Sequence, residues 1–281
     1  MDGKKRKALG KLPLILLILT IVLAMPIGEA YGALQVRRRY ATLVFSSDFE
    51  AVTKKDANTL NLGIDNWEEF DGNPNADMWI EGLDRVTPGF TCHSESRCLG
   101  LEILSGGYRA EFNIHQLQNL VEKELFVSVW LYLPPDFSLH VPGIDWNWDQ
   151  IVNPYFTGPP YLPYFSLDVI QPDITKPIFN LRFDNRDMSN KLTTIKQINN
   201  YPLPRGQWFN VQYYVLHDPV NGAIKFWING ELLFEVNGLA TANPSVTEWF
   251  TTPAKIYYEP SDTFSPYRIW ADDLQIYNGI P

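Results

Sequence analysis

In the stretch Tyr-Arg-Ala-Glu-Phe, Arg109 and Glu111 stand two residues apart. Side chains of a β-strand alternate between its faces, so both project from one side if this stretch is extended. A guanidinium beside a carboxylate can form an ion pair on a solvated sheet face, or it can hold a bound anion and neighbouring hydroxyls. Further along, Gln150 has Trp146, Trp148 and Tyr155 around it. Aromatic faces stack on sugar rings, and a carboxamide offers a donor and an acceptor to hydroxyl groups. The alternative is that these rings fill a core, but nine Trp and 14 Tyr exceed what a core needs, so some are expected at the surface. Cys92 and Cys98, the two cysteines of the chain, enclose five residues. In an oxidising compartment they would close a small loop as a disulfide. A metal site would need two more soft ligands, and only His93 is near in sequence.

The segments that must position these groups read as strands. Short β-branched and aromatic runs alternate with Pro, Gly, Asn and Asp. Candidate strands are Ala41–Phe49, Leu99–Leu104, Tyr108–Ile114, Leu125–Leu133, Phe165–Ile170, Ile178–Phe183, Trp208–Leu216, Ala223–Ile228, Glu231–Val236, Ala254–Tyr258 and Tyr267–Tyr277. Asn229–Gly230 between two apolar runs predicts a type I′ hairpin, which requires positive φ at both positions. Ile114–Lys123 and Asn237–Ala242 are long enough for one or two helical turns. Leu139–Pro163, rich in Pro, Trp, Tyr and Gly, reads as a long ordered loop around one short strand. Trp208 and Trp227 are expected in the core. The pattern predicts an all-β fold, a two-sheet antiparallel β-sandwich jelly roll with a concave groove.

The N-terminal segment reads as a targeting signal. Lys4, Lys5, Arg6, Lys7 and Lys11 precede a run of 14 uncharged residues, Leu12–Met25. As a helix this run spans roughly 21 Å, short of the ~30 Å hydrocarbon core. Cleavage before Ala33 would leave small residues at −3 and −1. Residues 1–32 are therefore expected to be a signal peptide, with an uncleaved anchor as the alternative, and residues 33–281 one exported domain. The remaining 249 residues carry 18 basic and 30 acidic groups, a net charge of −12, which argues against nucleic acid as a partner.

Leu43–Glu50, Asn66–Trp67, Glu124–Phe137, Pro204–Phe234 and Tyr267–Tyr277 together resemble the concanavalin A-like lectin and glucanase superfamily. Within it the spacing is similar to jelly-roll polysaccharide lyases that act on alginate or glucuronan. Those carry an Arg-x-Glu strand, a Gln-Ile-His strand and a late Tyr-bearing strand on the concave sheet. The resemblance maps Arg109 and Glu111 to the first, Gln150 to the second and Lys255–Pro260 to the third, with Val152 where the histidine would stand. β-Elimination on a uronate needs its carboxylate neutralised, a base for the C5 proton and an acid for the leaving oxygen. The resemblance thus implies Arg109, Gln150 and Tyr258 as catalytic groups, with Tyr257 and Tyr267 as other phenols and His115 and His140 as other imidazoles. It implies Arg109, Glu111, Trp146, Trp148, Gln150 and Tyr155 as substrate-binding groups. First and last strands lie side by side in such folds, which would gather Asp48, Glu50, Asp272 and Asp273 into an oxygen-rich site suited to structural Ca²⁺, or into an edge-strand charge cluster. The Glu-x-Asp-x-Glu motif of the superfamily's hydrolases is absent. The expected function is binding of an extracellular polysaccharide, uronic-acid-containing ones included. The alternatives are a lyase with a non-standard base and a structural or adhesive surface protein.

Overall fold

The Asn229–Gly230 turn forms with φ of 50° and 79°, as its hairpin demands. It joins two of the 14 strands found among the described residues of the computed structural model. The structure describes residues 41–50, 76–104, 109–114, 117, 121, 123–139, 148–157, 164–171, 177–184, 192–242, 248–257 and 267–281. In chain order the first five strands are β1 Thr42–Ser47, β2 Ala76–Glu81, β3 Cys98–Ile103, β4 Arg109–Ile114 and β5 Glu124–Tyr132. Then come β6 Trp148–Thr157, β7 Tyr164–Ile170, β8 Ile178–Asp184, β9 Leu192–Lys196 and β10 Trp208–Leu216. The last four are β11 Gly222–Ile228, β12 Glu231–Leu239, β13 Glu248–Tyr257 and β14 Tyr267–Asn278. All pairings between these strands are antiparallel.

Two sheets form a sandwich. One runs β12-β11-β10-β5-β14-β3-β2, with β1 also paired to β14; the other runs β4-β13-β6-β7-β8-β9. Between them lies one apolar core. Val127, Val129 and Leu131 of β5, with Phe209, Val211 and Tyr213 of β10, face Phe165, Leu167 and Val169 of β7 and Phe179 and Leu181 of β8. The period-two alternation that puts these inside sends the intervening residues to the outer faces. Pro253 sits where β13 bulges against β4, a place where its missing N–H breaks no ladder bond.

The tryptophans are divided otherwise than expected. Trp208 and Trp227 are half-buried on the outer face of the larger sheet rather than in the core. Trp208 belongs to a second aromatic cluster there with Trp79, Phe90, Tyr132 and Trp270. Glu81, itself buried, accepts hydrogen bonds from the indole N–H groups of Trp79 (2.9 Å) and Trp270 (3.1 Å). Gly100 lies opposite both indoles in the sheet, and a Cβ there would come within 2.2 Å of the Trp79 ring, so only glycine leaves room.

Three strands were not anticipated: β2, β9 and most of β6. Asn237–Leu239 extends β12 beside β11 instead of turning helically, because pairing with Gly222 and Ala223 satisfies its backbone. Most of Ile114–Lys123 lies outside the described residues, as do Met1–Tyr40, which carry the signal reading, and Asn66–Trp67. Ala41–Pro281 form one compact unit.

Candidate functional site

The registers of the smaller sheet align one row of side chains across all six strands. Arg109 of β4 stands opposite Tyr257 of β13, which stands opposite Gln150 of β6. Gln150 stands opposite Asp168 of β7, Asp168 opposite Asn180 of β8, and Asn180 opposite position 196 of β9. Five strand spacings of ~4.8 Å make the row roughly 24 Å long, and Arg109 lies two spacings, roughly 10 Å, from Gln150. Ala110, Phe112, Leu167, Val169, Leu181 and Ile256 point into the core, so their neighbours in these strands point away from it. That outer face is recessed: Glu111, Gln150, Asp168 and Lys255 are 2–3 % exposed.

Glu111 organises the β4–β13 end. Its carboxylate lies 3.1 Å from Lys255 Nζ and 2.5 Å from Arg109 Nη2, and it accepts a hydrogen bond from Asn113 Nδ2 at 3.0 Å. Burial alone would raise its pKa; the charge of Lys255 and the bond and charge of Arg109 outweigh that and hold it at about 2. Burial pushes the Lys255 ammonium down, against the pull of Glu111. Two cations around one carboxylate leave an excess positive charge, set against the half-buried Tyr257 ring. Lys255 Nζ is 5.1 Å and the Arg109 guanidinium 5.8 Å from that ring's centre.

The β6–β8 end is different. Asp149 is fully buried, accepts the Tyr257 amide at 2.8 Å, and has its pKa pushed well up by burial. Asp168 is pushed up to about 7, again by burial, with the Ser166 hydroxyl and the charges of Arg182 and Lys255 opposing.

Val152 does not face this site. Gln150 pairs with Asp168 but Val152 pairs with Leu167, so β6 carries one extra residue and its alternation slips. Val152 turns into the core, fully buried. Asn153 comes next to Gln150 instead, its Nδ2 donating to Gln150 Oε1 at 3.4 Å.

A polysaccharide lyase family model matches residues 46–276. The chain belongs to the polysaccharide lyase family. Its fold is similar to that of an endo-β-1,4-glucuronan lyase from the fungus Trichoderma reesei, with TM-score 0.55, 13 % identity, and coverage of 85 % of this chain and 96 % of that one. It is also similar to the alginate lyase vAL-1 from Chlorella virus, with TM-score 0.51, 9 % identity and coverage of 84 % and 100 %. A third likeness, with TM-score 0.51, 12 % identity and coverage of 86 % and 64 %, is to a GlcNAcα1-4Gal-releasing endo-β-galactosidase from Clostridium perfringens. None of the curated proteins compared with the chain matches it. At such identities these structures speak to the fold alone.

Against the residues expected from sequence, this polysaccharide lyase family member brings Arg109, Glu111 and Gln150 onto one recessed face. Tyr258, Trp146, His115 and His140 lie outside the described residues, and of Trp148 and Tyr155 only the strand backbone is described. Tyr257, named only as another phenol, stands in the row itself. Asn113, Asn153, Asp168 and Arg182 were not singled out. Ser-Leu-Asp-Val and Asn-Leu-Arg-Phe alternate polar with apolar residues, the signal by which the last two could have been placed on a groove face.

Three of the four carboxylates expected at Ca²⁺, Glu50, Asp272 and Asp273, meet the cystine loop on the other sheet. Cys92 and Cys98 are bonded, and β1 lies beside β14. Glu50 accepts hydrogen bonds from the Ser96 amide (2.6 Å) and hydroxyl (2.9 Å) and from the Arg97 amide (2.5 Å). Asp272 accepts the Ser94 amide at 2.9 Å and its hydroxyl at 3.1 Å, and burial, with Asp273 adding to it, pushes Asp272 up to about 6. Asp273 Oδ2 lies 2.5 Å from His93 Nδ1, and Asp48 accepts the Glu50 amide at 3.1 Å. Among the described residues no group of three or more His, Cys, Asp or Glu could hold a metal ion.

Proposed function

We propose that this protein binds a uronic-acid-containing polysaccharide outside the cell, along the recessed face of the smaller sheet, and cleaves it by β-elimination. The observation that carries this reading is the alignment of Arg109, Tyr257 and Gln150 on three adjacent strands, beside the ion cluster of Glu111 and Lys255. The excess positive charge there favours a substrate carboxylate. In a site closed to water such a charge acts at far more than its strength in solvent. Arg109 and the Gln150 amide neutralise the uronate as charge builds at C5, and the Tyr257 hydroxyl protonates the departing oxygen. Glu111 positions Arg109 and Lys255 and stays ionised. The glucuronan and alginate lyases that share the fold support this substrate class. Trp148 and Tyr155, on the strand that carries Gln150, are proposed as stacking surfaces together with Trp146, and Tyr258 as a further phenol for the leaving oxygen.

A second reading, binding without turnover, is favoured by one observation: among the described residues no histidine lies on this face. One experiment separates the two. Purified protein is incubated with glucuronan and alginate, and the unsaturated uronate product is followed by ultraviolet absorbance. Cleavage that falls ~10²–10⁴-fold in kcat with Tyr257→Phe supports the lyase. Binding that depends on Arg109 with no product from the wild type leaves a carbohydrate-binding module, and neither activity returns the protein to the scaffold reading.

A further inference from the structure

We propose that Asp168 is the base that removes the C5 proton, in place of the histidine that the sequence resemblance would set at position 152; the inference rests on the β-elimination reading above. Asp168 and Tyr257 flank Gln150, one strand away on either side. Two spacings put their backbones roughly 10 Å apart, so a sugar ring reaching both side chains would lie over the Gln150 carboxamide. A ring seated there has the phenol on one side and the carboxylate on the other. That arrangement suits a uronate whose C5 proton and C4 oxygen lie on opposite faces, as in guluronate; in glucuronate and mannuronate the two lie on one face. A single tyrosine serving as both base and acid would require both on the same face.

Asp168 is built for proton transfer rather than for a structural bond. It is 2 % exposed, and its Oδ1 finds no hydrogen-bond partner among the described residues. The charged and titratable groups around it come from three strands: Arg182 from β8, Lys255 from β13 and Asp149 from β6, with the Ser166 hydroxyl on its own strand. Arg182 and Lys255 stabilise the carboxylate, while burial opposes its ionisation and brings the group to about 7. A base with a pKa near the working pH combines enough of the ionised form with enough driving force to accept a proton.

The step balances. A carboxylate oxygen of Asp168 takes the C5 proton, and the C5–H electron pair becomes the C4–C5 double bond as the C4–O bond breaks. The departing oxygen takes the proton of the Tyr257 hydroxyl. One product carries an unsaturated uronate at its new non-reducing end and the other a free hydroxyl. Asp168 then holds the extra proton and Tyr257 lacks one, and transfer through water restores both.

The test uses full-length protein, with guluronate-rich alginate as substrate and folding checked by circular dichroism. Glucuronan, whose C5 proton and C4 oxygen share a face, should be cleaved more slowly, and the reverse preference overturns the opposite-side arrangement. In the wild type, kcat/KM should fall on the acid side of about pH 7. Asp168→Asn should lower kcat ~10²–10⁴-fold with KM changed only a few-fold, and the acid limb should disappear. Formate should restore part of the rate to Asp168→Ala, which a merely structural role would not allow. Should both variants unfold, Asp168→Glu must retain activity with a displaced acid limb. Asp168→Asn with wild-type kcat and an unchanged acid limb overturns the proposal while leaving β-elimination intact. So does a slowed Asp168→Asn that keeps the limb, joined to an Asp168→Ala that formate does not rescue. No product from the wild type on either polymer overturns β-elimination itself, and the base with it.

Discussion

Replacing Lys255 by methionine isolates the ion cluster that underlies the site. The change keeps most of the length of the side chain and removes the charge 3.1 Å from Glu111, in a pair whose side chains are 3 % and 2 % exposed. Breaking a buried pair by removing one partner costs ~3–5 kcal/mol, because a charge is left uncompensated. Arg109 remains beside Glu111, so the lower end applies, about 3 kcal/mol. For a domain of this size each kcal/mol moves the melting midpoint by ~2–4 °C, which predicts a fall of about 6–12 °C by calorimetry or circular dichroism. The pH dependence supplies a second check. Glu111 titrates at 4.5 when unfolded and at about 2 when folded. Its ionised form therefore contributes stability that is complete above 4.5 and disappears as the pH falls through 2, about 3 kcal/mol in all. The Lys255 charge is the leading influence lowering this group, so in Lys255→Met the loss on acidification should be smaller. Glu111→Gln combined with Lys255→Met should cost less than the sum of the single changes by ~0.5–3 kcal/mol. A single variant melting within ~2 °C of the wild type, or strictly additive losses, would refute the idea that Glu111 depends on Lys255.

Three further perturbations probe the scaffold. His217, stacked on Trp249 at 4.2 Å, is held by burial at about 3 against 6.5 when unfolded, so acidification protonates the unfolded chain first. Its contribution should be full above 6.5 and drop by about 2 kcal/mol between about pH 7 and pH 5, read as the difference between wild type and His217→Gln in urea titrations. The difference is needed because Asp168 and Asp272, held up to about 7 and about 6, shift stability the other way over the same range. Cys92→Ser opens a small loop and should cost ~2 kcal/mol without loss of the fold, and a melting temperature equal to the wild type's would show that Glu50 and Asp272 hold the loop alone. Calcium at Asp48, Glu50, Asp272 and Asp273 stays a proposal that requires these carboxylates to leave their present hydrogen bonds and gather round the ion: added Ca²⁺ should then raise the melting temperature and chelator lower it, and identical melts would remove the site.

Much of the sandwich was readable in the sequence because its strands alternate cleanly. β10 has the expected bounds, and the hairpin turn has positive φ at both central residues. β2 was missed because Ala-Asp-Met-Trp-Ile-Glu shows little alternation: four of its six residues are buried, two of them under the cystine loop's aromatic cluster or its Glu81 anchor. β6 was hidden by Pro154 and by a bulge, both of which interrupt the pattern that marks a strand. The surplus of tryptophan was rightly read as more than one core could use. Its destination, an indole layer over Gly100, depends on cross-strand pairs that lie far apart in the chain.

The site divides along the same line. Arg109 and Glu111 share one strand, so a two-residue spacing sufficed to place them together. Tyr257, Gln150 and Asp168 share only a transverse row, and that row depends on the register of three strands. Register in turn depends on bulges, and one extra residue exchanges the faces of all that follows it. That is why Val152 misleads. Counted along the sequence it occupies the place of a catalytic histidine; counted in the sheet it is a core residue opposite Leu167, and Asn153 stands beside Gln150 instead. The missing imidazole is thus no sign of a vacant position on the groove face. The base must be sought across the strands rather than along β6, where the next polar side chain in the row is Asp168.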